Sequence, residues 1–314
     1  MNNIQMGCQS KGGTIWANLN SPVIVMGMHR SGTSLVCNVL ERMGLFMGYE
    51  KDDNNEATFF LTINKELLKK MNSSWDCPPS REEISSKQTI CVEHAAQSLR
   101  KKSEKAFWGP MHRSISGEKR KTEKIRWGWK DPRNTFTLPI WREIFPQCKV
   151  IHVCRNPFDV AESLRKRELS FLTWRANLKQ KWLTISGSPR ARSERSIDLQ
   201  NQANGISLWK MYVQQCLEMG RRFKDDVMRI KYEDLLTSPI ASISKMAEFL
   251  RLESVGEMEL KAITSSFRKQ RAYAFLSTKP YPPELQMLSR DPLVKELGYQ
   301  KILLDSSDSA DSSK

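Results

Sequence analysis

Between Gly27 and Ser34 the chain reads Gly-Met-His-Arg-Ser-Gly-Thr-Ser, and the two glycines, five positions apart, frame a loop whose backbone can approach an anion closely. The N–H groups of Ser31, Gly32, Thr33 and Ser34, aimed from a helix N-terminus, would cradle a phosphate whatever the side chains are. In a triphosphate-binding loop of this frame, a lysine reaches the β- and γ-phosphates and the next hydroxyl holds magnesium. Here Thr33 stands in the lysine position, and the cation is Arg30, three residues earlier. The one carboxylate placed at a strand end to serve a metal is Asp131 in Trp129-Lys-Asp-Pro, where Lys130 adjoins it. The residues therefore point to phosphate binding without the triphosphate apparatus, and no metal is expected.

A second anion site is written further on. Arg155 leaves the apolar run Lys149-Val-Ile-His-Val-Cys154, and Ser163 lies about two helical turns beyond it. A rigid guanidinium and a hydroxyl at that spacing can converge on one phosphate. The plainer reading of such an arginine is a surface ion pair. If both sites are real, the ligand carries phosphates at both ends.

Three strand-to-helix units must position these residues. Val23–Met26 is a short apolar run, after which Leu35, Val36, Val39, Leu40 and Met43 recur at helical spacing until Gly44 supplies a stop. Lys149–Cys154 predicts a buried strand, with Asn156 as cap and Pro157 at the first position of the following helix. Upstream of it, Pro139–Phe145 predicts a helix ended by Pro146. In the third unit, Val227-Met-Arg-Ile-Lys231 predicts a strand, Tyr232 and its neighbours a turn, and Ser238-Pro239 the start of a helix reaching about Leu250. Alternating strands and helices imply an α/β fold of P-loop type, three layers α/β/α around a central, mostly parallel sheet. Ligands of such sheets bind at the carboxyl ends of the strands, where all three loops gather.

Composition narrows the class. The 314 residues are 39% hydrophobic, enough for a sizeable core, and the net charge is +15. Residues 100–126 hold ten Lys or Arg against three Glu, and residues 165–195 hold nine against two, so two segments carry nearly all of the excess. A chain that is otherwise close to neutral is not expected to coat nucleic acid. The basic segments read as solvated loops or as an electrostatic funnel for anionic ligands. The seven cysteines lack CxxC pairs and are expected to be reduced and mostly packed. His152, in an apolar strand, is expected to be buried and neutral, while His94 and His112 have no informative context. With no apolar run of spanning length and no leader-like start, the expectation is a cytoplasmic chain without a transmembrane segment, for which peripheral membrane contact stays open. The expected organisation is a flexible arm over 1–20, one domain over 21–304 and a disordered polar tail over 305–314.

The motifs in combination carry a resemblance. Gly27–Ser34 resembles the 5′-phosphosulfate loop of the sulfotransferase family, and Val153-Cys-Arg-Asn-Pro-Phe-Asp-Val-Ala-Glu-Ser163 resembles its 3′-phosphate segment. Lys231-Tyr-Glu-Asp-Leu-Leu-Thr-Ser-Pro239 is similar to a third block, and Trp129-Lys-Asp-Pro-Arg133 to a block before the 3′-phosphate segment. The resemblance covers roughly residues 22–250 and is strongest to bacterial-type and protein-tyrosine sulfotransferases, where arginine commonly replaces the loop lysine. It implies 3′-phosphoadenosine-5′-phosphosulfate (PAPS) as donor, 3′,5′-adenosine bisphosphate as product and no metal. It implies that Arg30, Ser31, Gly32, Thr33 and Ser34 hold the 5′-phosphate, that Arg155 and Ser163 hold the 3′-phosphate, and that Tyr232 lies beside the nucleotide. By the same resemblance, Arg30 stabilises the leaving group and Lys130 supports the sulfuryl group in transfer.

Transfer to a hydroxyl requires a base. Glu56, in Asp52-Asp-Asn-Asn-Glu56, lies in the region matching the family's glutamate, with Glu50 and His29 as alternatives. The glycine-rich basic loop that covers the nucleotide in cytosolic small-molecule enzymes is missing, and Arg268-Lys-Gln-Arg271 is its nearest substitute. Residues 168–200 read as an insertion whose Trp174, Trp182 and cations form either an acceptor lid or a loose loop. The expected acceptor is a hydroxyl of a carbohydrate or glycolipid. The alternatives are a peptide tyrosine or small phenol and, from other classes, a P-loop kinase or a non-enzymatic anion-binding module.

Overall fold

Val23-Ile-Val-Met-Gly27 forms strand β1, and all five residues are buried, as a continuous apolar run in a parallel sheet requires. Strand β2 is Gly128–Lys130, β3 is Lys149–Cys154 and β4 is Val227–Lys231. They form one four-stranded sheet in the order β2-β1-β3-β4. Strands β1 and β2 run parallel, with Val23 opposite Gly128 and Val25 opposite Lys130. The fold is thus α/β with a central parallel sheet flanked by helices, as the alternation of elements implied. The structure, a computed structural model, describes residue 16 and residues 19–112, 125–170, 195–253, 256–277, 284–302 and 304. Residues 113–124 of the first basic segment, residues 171–194 with Trp174 and Trp182, most of the N-terminal arm and the C-terminal tail lie outside the described residues.

The chain divides into two compact units, residues 1–26 with 34–151 and residues 27–33 with 152–314. The first is built on aromatic packing. Phe60 and Trp129 stack with ring centroids 3.9 Å apart, and Trp16, Phe107, Trp108, Trp127 and Trp141 join the same cluster. Aromatic pairs add about 0.5–1.5 kcal/mol each beyond area burial, so this cluster is a rigid base for β2 and the residues after it. Its helices are Thr33–Arg42, Thr58–Lys70, Arg81–Lys101 and Asn134–Ile144, among others. The first ends where expected: Gly44, at φ +89°, donates its N–H to the Glu41 carbonyl. The last starts five residues before the expected Pro139, which lies inside it. Asn134 anchors the true start, with its Nδ2 bonded to the Val25 carbonyl at 3.0 Å and its Oδ1 accepting from Trp129 Nε1.

In the second unit, the helix Pro157–Ser170 follows β3, and Asn156 caps it by accepting the Asp159 N–H at 2.9 Å. It packs on the helix Gln202–Arg222, where Gly205 faces Ala161 so closely that an added Cβ would sit 3.1 Å from the Ala161 Cβ. The expected turn at Tyr232 is instead a short helix, Tyr232–Thr237, followed by the helix Pro239–Leu250. Among the described residues, no helix is long and apolar enough to cross a membrane.

His152 is 2% exposed in β3, and burial, aided by Arg229, holds its imidazole pKa down at about 3. Because the folded value lies below the ordinary one, the unfolded chain takes up this proton first as pH falls. The stabilising contribution is full above pH about 6.5 and is lost as pH falls toward 3. His152→Leu removes that dependence. Between pH 7 and 5 the wild type is expected to lose about 2 kcal/mol more stability than the variant. Urea midpoints measured at each pH check this, and parallel losses in the two proteins would refute it.

Candidate active site

Strand β1 hands the chain to a loop that tolerates no side chain at its start. Gly27 has φ +146°, and a Cβ there would fall 2.2 Å from the Val153 carbonyl oxygen. The Ser31 N–H closes a turn on the Met28 carbonyl at 3.1 Å. It is therefore occupied, whereas the sequence placed it in the anion cradle. The N–H groups of Gly32, Thr33 and Ser34 stand at the open first turn of the helix Thr33–Arg42, where the α-helical pattern supplies no carbonyl partner. The Ser31 hydroxyl is fully buried and finds no hydrogen-bond partner. A buried hydroxyl without a protein partner, beside backbone N–H groups at a helix start, has the donors that an anion at this loop would use. Gly32, at φ +96°, lies under the Tyr232 ring, since a Cβ there would meet Tyr232 Cδ2 at 2.2 Å.

Arg30 adopts φ +68°, a left-handed conformation that costs a non-glycine residue about 1–2 kcal/mol. Its Nε donates to the Ser163 hydroxyl at 2.9 Å. Sequence reasoning gave these two residues to opposite ends of a ligand, and the fold brings them into direct contact. Burial, then the charges of Arg167, Arg155 and Arg271, push the Arg30 pKa down. Arginine stays protonated regardless, so the folded protein holds a cluster of repelling guanidiniums that a bound anion would relieve.

Arg155 completes this cluster. Its Nη2 donates to Asp159 Oδ2 at 3.0 Å and to the Arg271 carbonyl at 3.1 Å, and its guanidinium stands 4.5 Å from the Tyr232 ring centroid. Its Nε is buried and has no partner. The Trp209 indole N–H, in the helix Gln202–Arg222, bonds the Arg155 carbonyl at 2.9 Å and fixes the backbone at the end of β3. Arg271, from the stretch expected to substitute for a nucleotide-covering loop, therefore does approach the second predicted anion site.

The other predicted residues lie in the first unit. Glu56 is 4% exposed, so it is not the solvated loop carboxylate that a polar stretch suggests. Its Oε1 accepts from Lys130 Nζ at 3.2 Å and its Oε2 from Arg133 Nη1 at 3.3 Å. Its loop is shaped by Asp52, whose Oδ1 accepts the N–H groups of Asn54 and Glu56, and by Asn55 at φ +62°. Burial, then the Glu56 charge, raise the Asp52 pKa. The Ser34 hydroxyl donates to the Asn54 carbonyl at 2.6 Å, tying this loop to the start of the helix Thr33–Arg42.

Behind Glu56 lies a buried polar network. Asp131 accepts from the Arg133 N–H and guanidinium through Oδ1 and from Asn64 Nδ2 through Oδ2. Burial, opposed by Arg133, pushes its carboxyl up to about 6. Both oxygens already accept from protein donors, which weakens the case for Asp131 as a metal ligand. Asn64 in turn accepts from the Thr137 hydroxyl and the Trp141 indole. Of the alternative bases, Glu50 is exposed, and His29 packs edge-on against Tyr212 at 5.9 Å.

Sequence reasoning missed Arg133, Asn64, Asp159 and Arg167. Asp159 did leave a signal, because Asn156 and Asp159 have the N-cap and N3 spacing of a capped helix start. Asn64 left none, and Arg133, the last residue of the block Trp129–Arg133, gave no sign of its bond to Glu56, 77 positions away.

A family model described as "Sulfotransferase family" matches residues 22–256. Among solved structures, the chain is similar to the sulfotransferase domain from the curacin biosynthetic pathway, at 18% identity over 89% of this chain and 98% of that one, with a TM-score of 0.47. It is also similar to the sulfotransferase domain of the Synechococcus olefin synthase, at 16% identity over 88% and 84% of the two chains, TM-score 0.42. A sulfotransferase from Alicyclobacillus acidocaldarius is 17% identical over 81% and 95%, TM-score 0.42. No curated protein matches.

Proposed function

The chain belongs to the sulfotransferase family, and from that premise we propose that it moves the sulfuryl group of PAPS to a hydroxyl of a carbohydrate or glycolipid. The observation that carries the donor assignment is the cluster that Arg30 and Arg155 form at the loop Gly27–Thr33, where Arg155 Nη1 donates to the Arg30 carbonyl at 3.4 Å and the charges of Arg167 and Arg271 also act on Arg30. Such a cluster suits a ligand with several anionic groups better than one with a single charge.

PAPS supplies a sulfuryl group on a good leaving phosphate, so transfer needs stabilised charge and a proton acceptor. The open N–H groups of Gly32, Thr33 and Ser34 hold the 5′-phosphate, joined by the Ser31 hydroxyl, and Arg155 and Ser163 hold the 3′-phosphate. Tyr232 flanks the nucleotide. As the bond from sulfur to the bridging oxygen breaks, that oxygen keeps the electron pair, and Arg30 meets the charge that develops there. Lys130 supports the sulfuryl oxygens. Glu56 takes the acceptor hydroxyl proton as the new oxygen–sulfur bond forms. Each carboxylate oxygen has about two lone-pair sites, so a pair remains for the proton while Lys130 and Arg133 stay bonded.

Calorimetric titration tests the donor. We expect 3′,5′-adenosine bisphosphate to bind without magnesium and to bind about a hundredfold more weakly in Arg155→Ala, the loss of two charge-assisted contacts. Preference for magnesium-ATP would overturn the reading in favour of a kinase, and salt-sensitive binding to any polyanion without turnover would favour an anion-binding module. Labelled sulfate transfer onto glycans, glycolipids, phenols and tyrosine peptides tests the acceptor.

A further inference from the structure

Asp159 makes more hydrogen bonds than a helix cap requires. Besides closing the start of its own helix, it receives Arg155 Nη2 at 3.0 Å and Asn156 Nδ2 at 2.9 Å. It also receives two successive backbone N–H groups from a segment far along the chain, Ala274 at 3.1 Å and Phe275 at 2.8 Å. Tyr273, just before them, sits at φ +55°, a left-handed kink that turns these two N–H groups toward one carboxylate. The Phe275 ring packs against Phe158 at 5.2 Å. The same segment returns to Arg155 through the Arg271 carbonyl. A circuit therefore runs from the Arg155 guanidinium through Asp159 to residues 274–275, and back through Arg271.

The circuit decides how Arg155 can act. Both Nη2 protons are used, one on Asp159 and one on Arg271, while Nη1 makes only a 3.4 Å contact to the Arg30 carbonyl and Nε makes none. The guanidinium plane is fixed through one nitrogen, and the remaining donors are left for an anion.

We propose that Asp159 is a positioning residue that clamps the segment 271–275 to the Arg155 guanidinium, so that segment docking and anion binding at Arg155 strengthen each other. The idea rests on the reading that Arg155 receives the 3′-phosphate. By linkage, if docking of the segment aims Arg155, an anion on Arg155 tightens docking by the same factor. The clamp also reverses a simple electrostatic expectation. A carboxylate beside an anion site repels the anion, so a bystander Asp159 changed to asparagine would let the anion bind more tightly. A clamp changed in the same way binds it more weakly, because the Arg155 fork is no longer held.

The test titrates 3′,5′-adenosine bisphosphate into wild type, Asp159→Asn, Arg155→Ala and the double variant, and follows amide exchange across 271–275 with and without ligand. We expect Asp159→Asn to weaken binding about tenfold in the wild-type background and less than about twofold in Arg155→Ala. A role in folding alone would weaken both backgrounds alike. We also expect the ligand to slow exchange at Ala274 and Phe275 in wild type and not in Asp159→Asn. Unchanged or tighter binding by Asp159→Asn, or equal losses in the two backgrounds, would overturn the clamp. Without ligand, Arg155→Ala should speed exchange at Ala274 and Phe275, and unchanged exchange there also counts against it. That comparison still judges the clamp if wild type fails to bind the bisphosphate, a result that sinks the donor assignment instead. Arg155→Lys, with charge kept and the fork lost, serves if the alanine variant does not fold.

Discussion

Glutamine in place of Glu56 is expected to lower sulfuryl transfer by about 10²–10⁴-fold, the range for loss of a positioned general base, with bisphosphate affinity little changed. The amide keeps the side-chain shape and one acceptor oxygen but cannot take the acceptor proton at neutral pH. Alanine should do more harm of a different kind. Lys130 is 1% exposed and bonded to Glu56 Oε1, so truncation leaves a buried ammonium without that carboxylate. Breaking a buried pair by removing one partner costs about 3–5 kcal/mol. Arg133 suffers less, because Asp131 still accepts from it at 3.1 Å. Single-turnover rates and urea unfolding of both variants separate the two effects. If the glutamine variant transfers at the wild-type rate, Glu56 is a structural counter-ion and the base lies elsewhere.

Alanine in place of Arg30 is expected to lower kcat by about 10²–10³-fold, the usual effect of deleting one donor that stabilises transition-state charge. Stability should move differently from what loss of a hydrogen bond suggests. The bond from Arg30 Nε to Ser163 is lost, but so is a cation repelled by Arg155, Arg167 and Arg271. The ligand-free variant should therefore melt no lower than wild type, while the upward shift that wild type shows with bisphosphate shrinks. Arg30→Gly, which accepts φ +68° without strain, should be more stable still and equally slow. A marked fall in the ligand-free melting temperature would mean that Arg30 holds the loop together. Unchanged kcat would remove it from the chemistry.

Local signals carried much of this architecture. The strand Lys149–Cys154 was legible to the residue, because an apolar run bounded by a polar start and an Asn-Pro cap has few other readings. The loop after β1 was legible because glycine spacing reflects backbone conformation, and Gly27 and Gly32 do adopt positive φ. Pro139 misled because proline at the first helical position is the commoner signal. Here the start at Asn134 is held by bonds to the Val25 carbonyl and the Trp129 indole, and the former spans 109 positions of sequence. Tyr232 misled because a six-residue helix carries too little periodicity to register.

The same division runs through the site. Residue type and spacing pointed to the parallel α/β frame and to a loop that could hold an anion, and the resemblance of the motifs implied a family whose chemistry is sulfuryl transfer, since all three depend on contiguous patterns. Only tertiary structure decided which side chains those patterns engage. Glu56 could be exposed or buried until Lys130 and Arg133, 74 and 77 positions away, closed on it. Arg30 and Ser163, 133 positions apart, are read as serving different phosphates, and only the fold shows that they stand 2.9 Å from each other. Backbone conformation and helix capping are local free energies written within a few residues. The burial of a charge depends on which distant segments pack over it, and no window of sequence contains that information.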